Sequence, residues 1–280
     1  MKKGFGLAAV LVIGFMLAAC GNESANGDMT VVTIGVVGAV QDQWAAVNAQ
    51  LYDEGIQVDL VFLNEWTMPN PALNDGELDL NAFQNRVFLE NAMHTNGYEL
   101  AIVGETFIAP QNIFNGRADI PADHTRTSLV DEVEDGFLVG IPNDLTNGGR
   151  ALKLLEAAGL IDIDPEVGFL ATEADIINFH VDIEIRAVEA NTLPTLLPDF
   201  DIAVINNPQA MIHGLSANNE SIFREDALNI EVAPNLINLI VARAGEENNP
   251  IFQRILEAYQ TQAVIDVFEN EFDGAFVPAW

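Results

Sequence analysis

Residues 30–63 contain Val31-Val32-Thr33-Ile34-Gly35-Val36-Val37-Gly38, then Trp44, Val47 and Leu51 ahead of Gly55, then Ile56-Gln57-Val58-Asp59-Leu60-Val61-Phe62. The first run is rich in β-branched residues and ends at a glycine, the pattern of a buried strand. Trp44, Val47 and Leu51 recur at helical spacing, and Gly55 stops that helix. Ile56, Val58, Leu60 and Phe62 alternate with less apolar neighbours as a second strand. Strand, helix and strand in this order argue for an α/β domain with a largely parallel sheet.

The same alternation continues outward. Asn70 to Asn74 reads as a short helical piece. Leu78, Leu80 and Ala82 alternate against Glu77, Asp79 and Asn81 as a third strand, with a helix from about Asn85. Residues 115–136 are rich in Asp, Gly, Pro and Thr and read as a crossing or surface segment. Strands are expected at Phe137–Ile141, Ile183–Val188, Ile202–Ile205 and Leu236–Val241. Helices are expected at Ala151–Ala158, closed by Gly159, at Thr172–Phe179, and as a pair from about Pro250 to Asn270. Two α/β lobes fit this order, with crossings near residues 108 and 230: residues 29–108 plus 230–280 in lobe 1 and 109–229 in lobe 2. In such folds a ligand sits at the carboxyl ends of the strands, in the cleft between the lobes.

The amino terminus says where the protein works. Lys2 and Lys3 precede Gly4–Leu17, which carries no charge, and small residues lead to Cys20, the only cysteine among 280 residues. The apolar stretch is shorter than the roughly 20 residues that span a bilayer. Residues 1–19 therefore read as a removable export signal. Leu17-Ala18-Ala19-Cys20 resembles a bacterial lipobox, which implies acyl chains on Cys20. The small, polar Gly21–Asp28 reads as a flexible tether, so residues 20–28 form a lipidated tether. Each buried acyl methylene contributes about 0.8 kcal/mol, so more than one chain anchors stably. The alternative is a cysteine that falls near an ordinary cleavage site. The chain is expected at the cell membrane on its extracytoplasmic face, periplasmic or outer. With no second cysteine, neither a disulfide nor cysteine catalysis is expected in the exported protein.

Removing residues 1–19 leaves 261, enough for one large domain or two ordinary ones, and moves the formal charge from −31 to −33. That charge repels nucleic acid and anionic headgroups, so no nucleic-acid partner is expected. The acids are scattered, with no Asp-x-Asp-x-Asp-Gly loop. His94, His124, His180 and His213 show no metal-ligand spacing. There is no Gly-x-Ser-x-Gly or His-Glu-x-x-His motif, so nothing argues for an enzyme, and no cofactor is expected.

Three segments fall where the cleft is expected. Leu80–Leu89 runs from a strand end into a helix, Ile141–Arg150 does the same, and Ala203–Pro208 closes a further strand. The middle one carries most chemistry. Its Asn147-Gly148-Gly149 turn would let backbone N–H groups approach a ligand, and a helix N-terminus favours an anion. Arg150 offers a two-pronged contact to a carboxylate. The alternative for Arg150 is a surface residue in the first turn of a helix. For Phe83 and Phe88 it is core packing, and for Trp66 a loop anchor.

Asp79-Leu80-Asn81-Ala82-Phe83-Gln84, Pro142-Asn143-Asp144 with Asn147 and Arg150, Glu65–Asn70, Ile237–Val241 and the terminal Pro278-Ala279-Trp280 together resemble the methionine-binding lipoproteins of ABC importers. The resemblance covers about residues 29–280. It implies a type II periplasmic-binding-protein fold and an aromatic cage for the methionine side chain at Trp66, Phe83 and Phe88. Thioether–ring contacts contribute about 0.3–1.5 kcal/mol each. It implies Arg150 at the ligand carboxylate and the amides of Asn147, Asn206 and Asn238 at the polar end. It also implies an ABC permease and its ATPase as partners, with the membrane reached through the lipid on Cys20.

One segment departs from the family pattern. Asn85-Arg86-Val87-Phe88 stands where His-Lys-Pro-Tyr is common, and Trp66 stands where tyrosine is usual. Phe88 keeps the ring without the hydroxyl, and Asn85 keeps polarity in a smaller side chain. L-methionine is the expected ligand. D-methionine, a Gly-Met dipeptide, another amino acid or a metal ion are the alternatives.

Overall fold

The computed structural model describes residues 29–38, 41–226, 233–272 and 275–280. The expected export signal, tether and Cys20 lie outside the described residues, as does the expected crossing near residue 230. The chain begins with β1 (Thr30–Val37), α1 (Gln43–Leu51), β2 (Ile56–Leu63), α2 (Pro69–Asn74), β3 (Leu80–Asn85), α3 (Arg86–Asn96) and β4 (Leu100–Glu105). The short β5 (Phe107–Ile108) leads to β6 (Gln111–Asn115), β7 (Leu138–Pro142), α4 (Leu145–Ala157), β8 (Ile161–Ile163), β9 (Ile176–Phe179), β10 (Glu184–Val188) and α5 (Leu193–Leu196). Then follow β11 (Ile202–Asn206), α6 (Asn207–Ile212), β12 (Ser221–Arg224), α7 (Ala233–Leu236), β13 (Asn238–Arg243), α8 (Pro250–Tyr259), α9 (Gln262–Asn270) and β14 (Val277–Pro278).

Two five-stranded sheets organise these elements, ordered β2-β1-β3-β13-β4 and β10-β7-β11-β6-β12. In the first, β1 lies parallel to β2 and β3, while β13 runs antiparallel to β3 and β4. In the second, β7 lies parallel to β10 and β11, and β6 runs antiparallel to β11 and β12. The first sheet draws its strands from residues 30–105 and 238–243, the second from residues 111–224. The chain passes from one sheet to the other through β5, which pairs with β14.

Both sheets are covered on both faces, because successive side chains along a strand point to opposite sides. On β13, Ile240 and Ala242 join the core under α1, α8 and α9, whereas Leu239 and Val241 join the one holding Leu73 and Leu89. On β11, Ile202 and Val204 face α4, and Ala203 and Ile205 pack with Phe114, Leu193 and Phe200. Each such Ile, Leu or Val contributes about 1.5–3 kcal/mol on full burial. The helical face read as Trp44, Val47 and Leu51 is buried against Ile255, Tyr259 and Phe268 of α8 and α9. The carboxy-terminal helices thus return to the first sheet.

Three local expectations are corrected. Thr172–Phe179 is not a helix: a single helical turn, Glu173–Asp175, gives way to β9, which pairs antiparallel with β8. The Thr172 N–H and hydroxyl both donate to Asp175 Oδ2, at 2.8 and 2.7 Å, as a helix start does. The β-branched Ile176 and Ile177 then favour the strand. Leu236 belongs to α7 rather than to the strand, which starts at Asn238.

The Asn147-Gly148-Gly149 segment is not a turn either. Asp144 caps α4 by accepting from Asn147 N–H at 2.9 Å, and the helix runs through both glycines. A Cβ on Gly149 would lie 2.2 Å from the Phe169 carbonyl oxygen, and one on Gly148 2.7 Å from that of Pro142. The glycines let backbone pack on backbone.

Candidate functional site

The carboxyl ends of β1, β3 and β11 converge between the two sheets, and the first turn of α4 faces them. One cavity there is lined by Trp66, Phe83, Asn85, Phe88, Asn147, Arg150, Asn206 and Asn238, the eight side chains singled out in the sequence. Phe83 and Asn85 come from β3, Phe88 from the first turn of α3, Asn147 and Arg150 from α4, Asn206 from the end of β11 and Asn238 from the start of β13. Trp66 stands in the connection between β2 and α2.

Three rings form one wall. The centroids of Trp66 and Phe83 are 6.0 Å apart, of Trp66 and Phe88 6.4 Å, and of Phe83 and Phe88 5.7 Å with the planes at 78°. These are edge and tilted arrangements favoured by ring quadrupoles. Phe83 is buried, while Trp66 and Phe88 are half-buried. Asn85 has a local task besides lining the cavity: its Oδ1 accepts from Phe88 N–H at 2.9 Å and caps α3. The cap therefore sets the position of the ring three residues on.

The other lining side chains named from the sequence are polar, and several are joined to one another. Asn147 Nδ2 donates to both carboxylate oxygens of Asp144 at 3.1 Å, and its Oδ1 accepts from Asn206 Nδ2 at 2.8 Å. Asn206 Oδ1 accepts in turn from Gln111 Nε2 at 2.9 Å. Asn238 Nδ2 donates to the Phe107 carbonyl at 3.2 Å.

Arg150 is buried, not on the surface. Its Nε donates to Glu225 Oε1 at 2.8 Å, and Nη2 donates to Glu225 Oε2 and to the Ala109 carbonyl, the latter at 2.8 Å. Nη1 has no hydrogen-bond partner among the described residues. A buried guanidinium with one edge neutralised and another open can receive a further anion.

Sequence reasoning missed several lining residues: Gln43 and Trp44 at the start of α1, Tyr259 at the end of α8, and Phe276. Burial pushes the Tyr259 phenol far above its ordinary range, against a hydrogen bond from Gln43, so it stays neutral. Gln43 and Trp44 were open to prediction, since they follow the carboxyl end of the first strand. Glu225, the partner of Arg150, carried no local signal among 42 scattered acids. Among the described residues no three His, Cys, Asp or Glu side chains are grouped to hold a metal ion. None of the described helices is long and apolar enough to cross a membrane.

The sequence model of the NlpA lipoprotein family matches residues 32–280. A relative from Pasteurella multocida, named as a probable D-methionine-binding lipoprotein, is 35% identical, with 100% of this chain and 99% of that one covered. A nutrient-binding protein from Burkholderia cenocepacia, solved bound to methionine, superimposes with a TM-score of 0.79 at 29% identity, over 89% of this chain and 100% of the other. The substrate-binding protein of a methionine transporter from Streptococcus pneumoniae gives 0.78 at 31% identity, over 89% and 96%. The two-sheet architecture is therefore the two-lobe periplasmic-binding fold.

Proposed function

The chain belongs to the NlpA lipoprotein family, and on that premise we propose that it is the lipid-anchored solute-binding component of an ABC importer for methionine. It captures the amino acid by closing its lobes and delivers it to a permease driven by an ATPase. The observation that carries this reading is one cavity lined by three aromatic rings together with Arg150 and amides. A methionine side chain lies against Trp66, Phe83 and Phe88, where sulfur–ring contacts add to simple burial. The carboxylate meets the open edge of Arg150, and the Asn147, Asn206 and Asn238 amides surround the polar end.

Capture needs no covalent step. A ligand that touches both lobes binds the closed form more tightly than the open one, so its binding shifts the population toward closure. Cys20, acylated, keeps the receptor at the membrane and raises its effective concentration beside the permease. The D-isomer is the second reading, favoured by the name of the Pasteurella multocida relative.

Mass spectrometry of the small molecules released when the purified protein is denatured tests the reading. Methionine in near-stoichiometric amount is expected. A different compound in that amount overturns the ligand assignment, and chiral chromatography of released methionine assigns the isomer.

A further inference from the structure

We propose that the side-chain oxygen of Gln43 receives the α-ammonium group of the bound amino acid and so selects for a zwitterion. The inference rests on the cleft being the amino-acid site. Gln43 is 2% exposed, lines the cavity, and leaves Oε1 without a hydrogen-bond partner among the described residues. A buried acceptor left unpaired is costly, and buried polar groups are nearly always satisfied by protein, water or ligand.

Charge makes the unpaired oxygen matter. An ammonium group leaving water for a cleft needs acceptors. Glu225 is paired with the lining Arg150, which already holds both its oxygens. Most lining amide oxygens are engaged as well. Asn147 Oδ1 accepts from Asn206, Asn206 Oδ1 from Gln111, Asn85 Oδ1 from the Phe88 N–H, and Gln84 Oε1 from Asn70. Gln41 Oε1 accepts from Gln43 itself, at 3.1 Å. That bond fixes which end of the Gln43 amide is spent: Nε2 donates, so Oε1 is the end left over. Asn238, whose Nδ2 is turned to Phe107, supplies a second oxygen that accepts no hydrogen bond among the described residues.

With Arg150 and Glu225 cancelling, the cavity adds no net charge of its own. A net-neutral ligand whose positive end finds Gln43 and whose negative end finds Arg150 matches it. A carboxylic acid without the amino group leaves Gln43 unpaired.

The test compares methionine with its des-amino analogue, 4-(methylthio)butanoate, by calorimetry on ligand-stripped full-length protein. Wild type is expected to prefer methionine, and Gln43→Leu to lose about 10- to 100-fold of that preference by weakening methionine alone. Gln43→Glu, which keeps an acceptor, is expected to restore the preference and guards against a Leu variant that folds poorly. Equal weakening of both ligands in Gln43→Leu, the result if Oε1 only holds a buried water, overturns the assignment. Wild-type protein that binds no methionine overturns the amino-acid reading of the cleft itself, a different failure from an unchanged preference in the variant.

Discussion

Arg150 and Glu225 form a two-pronged ion pair in the wall of the cleft, with side chains only 6% and 10% exposed. Glu225 Oε2 also accepts from the Gln111 N–H at 3.0 Å, and Arg150 reaches the Ala109 carbonyl. The Arg150 guanidinium is thereby fastened to the segment through which the chain enters its second sheet. Breaking a buried pair from one side strands the other charge, at about 3–5 kcal/mol. Arg150→Met is expected to lower unfolding free energy by that amount, and Arg150→Met with Glu225→Leu to recover most of it. Neither variant is expected to bind methionine. Urea unfolding and calorimetry check the two halves of this expectation separately.

Across the cleft, Trp66 Nε1 donates to Asn191 Oδ1 at 3.4 Å, and Asn191 Nδ2 donates to the Asn64 carbonyl at 3.1 Å. Trp66 follows β2 of the first sheet and Asn191 follows β10 of the second, so these bonds link the two. Asn191→Ala is expected to speed ligand release about fivefold, for a loss near 1 kcal/mol, with little change in the association rate. Stopped-flow tryptophan fluorescence reads both rates. An unchanged release rate removes Asn191 from the closure.

The ring cage predicts discrimination by sulfur. Methionine is expected to bind about tenfold more tightly than norleucine, which has the same length but no thioether. Phe88→Leu, which keeps an apolar wall without the ring, is expected to narrow that ratio. Competition calorimetry with the two amino acids measures it, and a ratio that Phe88→Leu leaves intact assigns the selectivity elsewhere.

Acid weakens one local structure in a predictable direction. The Thr172 N–H first, and its hydroxyl second, hold the Asp175 carboxyl below the ordinary aspartate range. A depressed folded pKa stabilises above the unfolded value, about pH 4, and that stability is lost as pH falls through the lowered value. Asp175→Asn is therefore expected to lower Tm at pH 7, with the gap to wild type closing at the acid end. A gap that persists unchanged at low pH contradicts the role given to the carboxylate.

Legibility in the sequence followed how local each signal was. The run from Val31 to Phe62 announced β1, α1 and β2 because burial period and glycine stops agree there. Strands β4, β6 and β12 escaped notice, and each pairs only with strands distant in sequence. Thr172 and Asp175 misled for a physical reason: a helix-start pair is equally at home in a single turn before a strand. The eight cleft residues were named from strand ends and from resemblance, and the fold brings all eight to one cavity. Gln43 and Glu225 were not, since a glutamine and a glutamate gain meaning only from the buried partners they find or lack.

The most direct test of methionine capture is calorimetry on protein unfolded in denaturant, dialysed and refolded to remove any retained ligand. Titration with L-methionine and, separately, D-methionine is expected to give saturable one-to-one binding for at least one isomer, and none for Arg150→Met with Glu225→Leu. No heat with either isomer, from refolded protein whose circular dichroism matches the native state, would contradict the account.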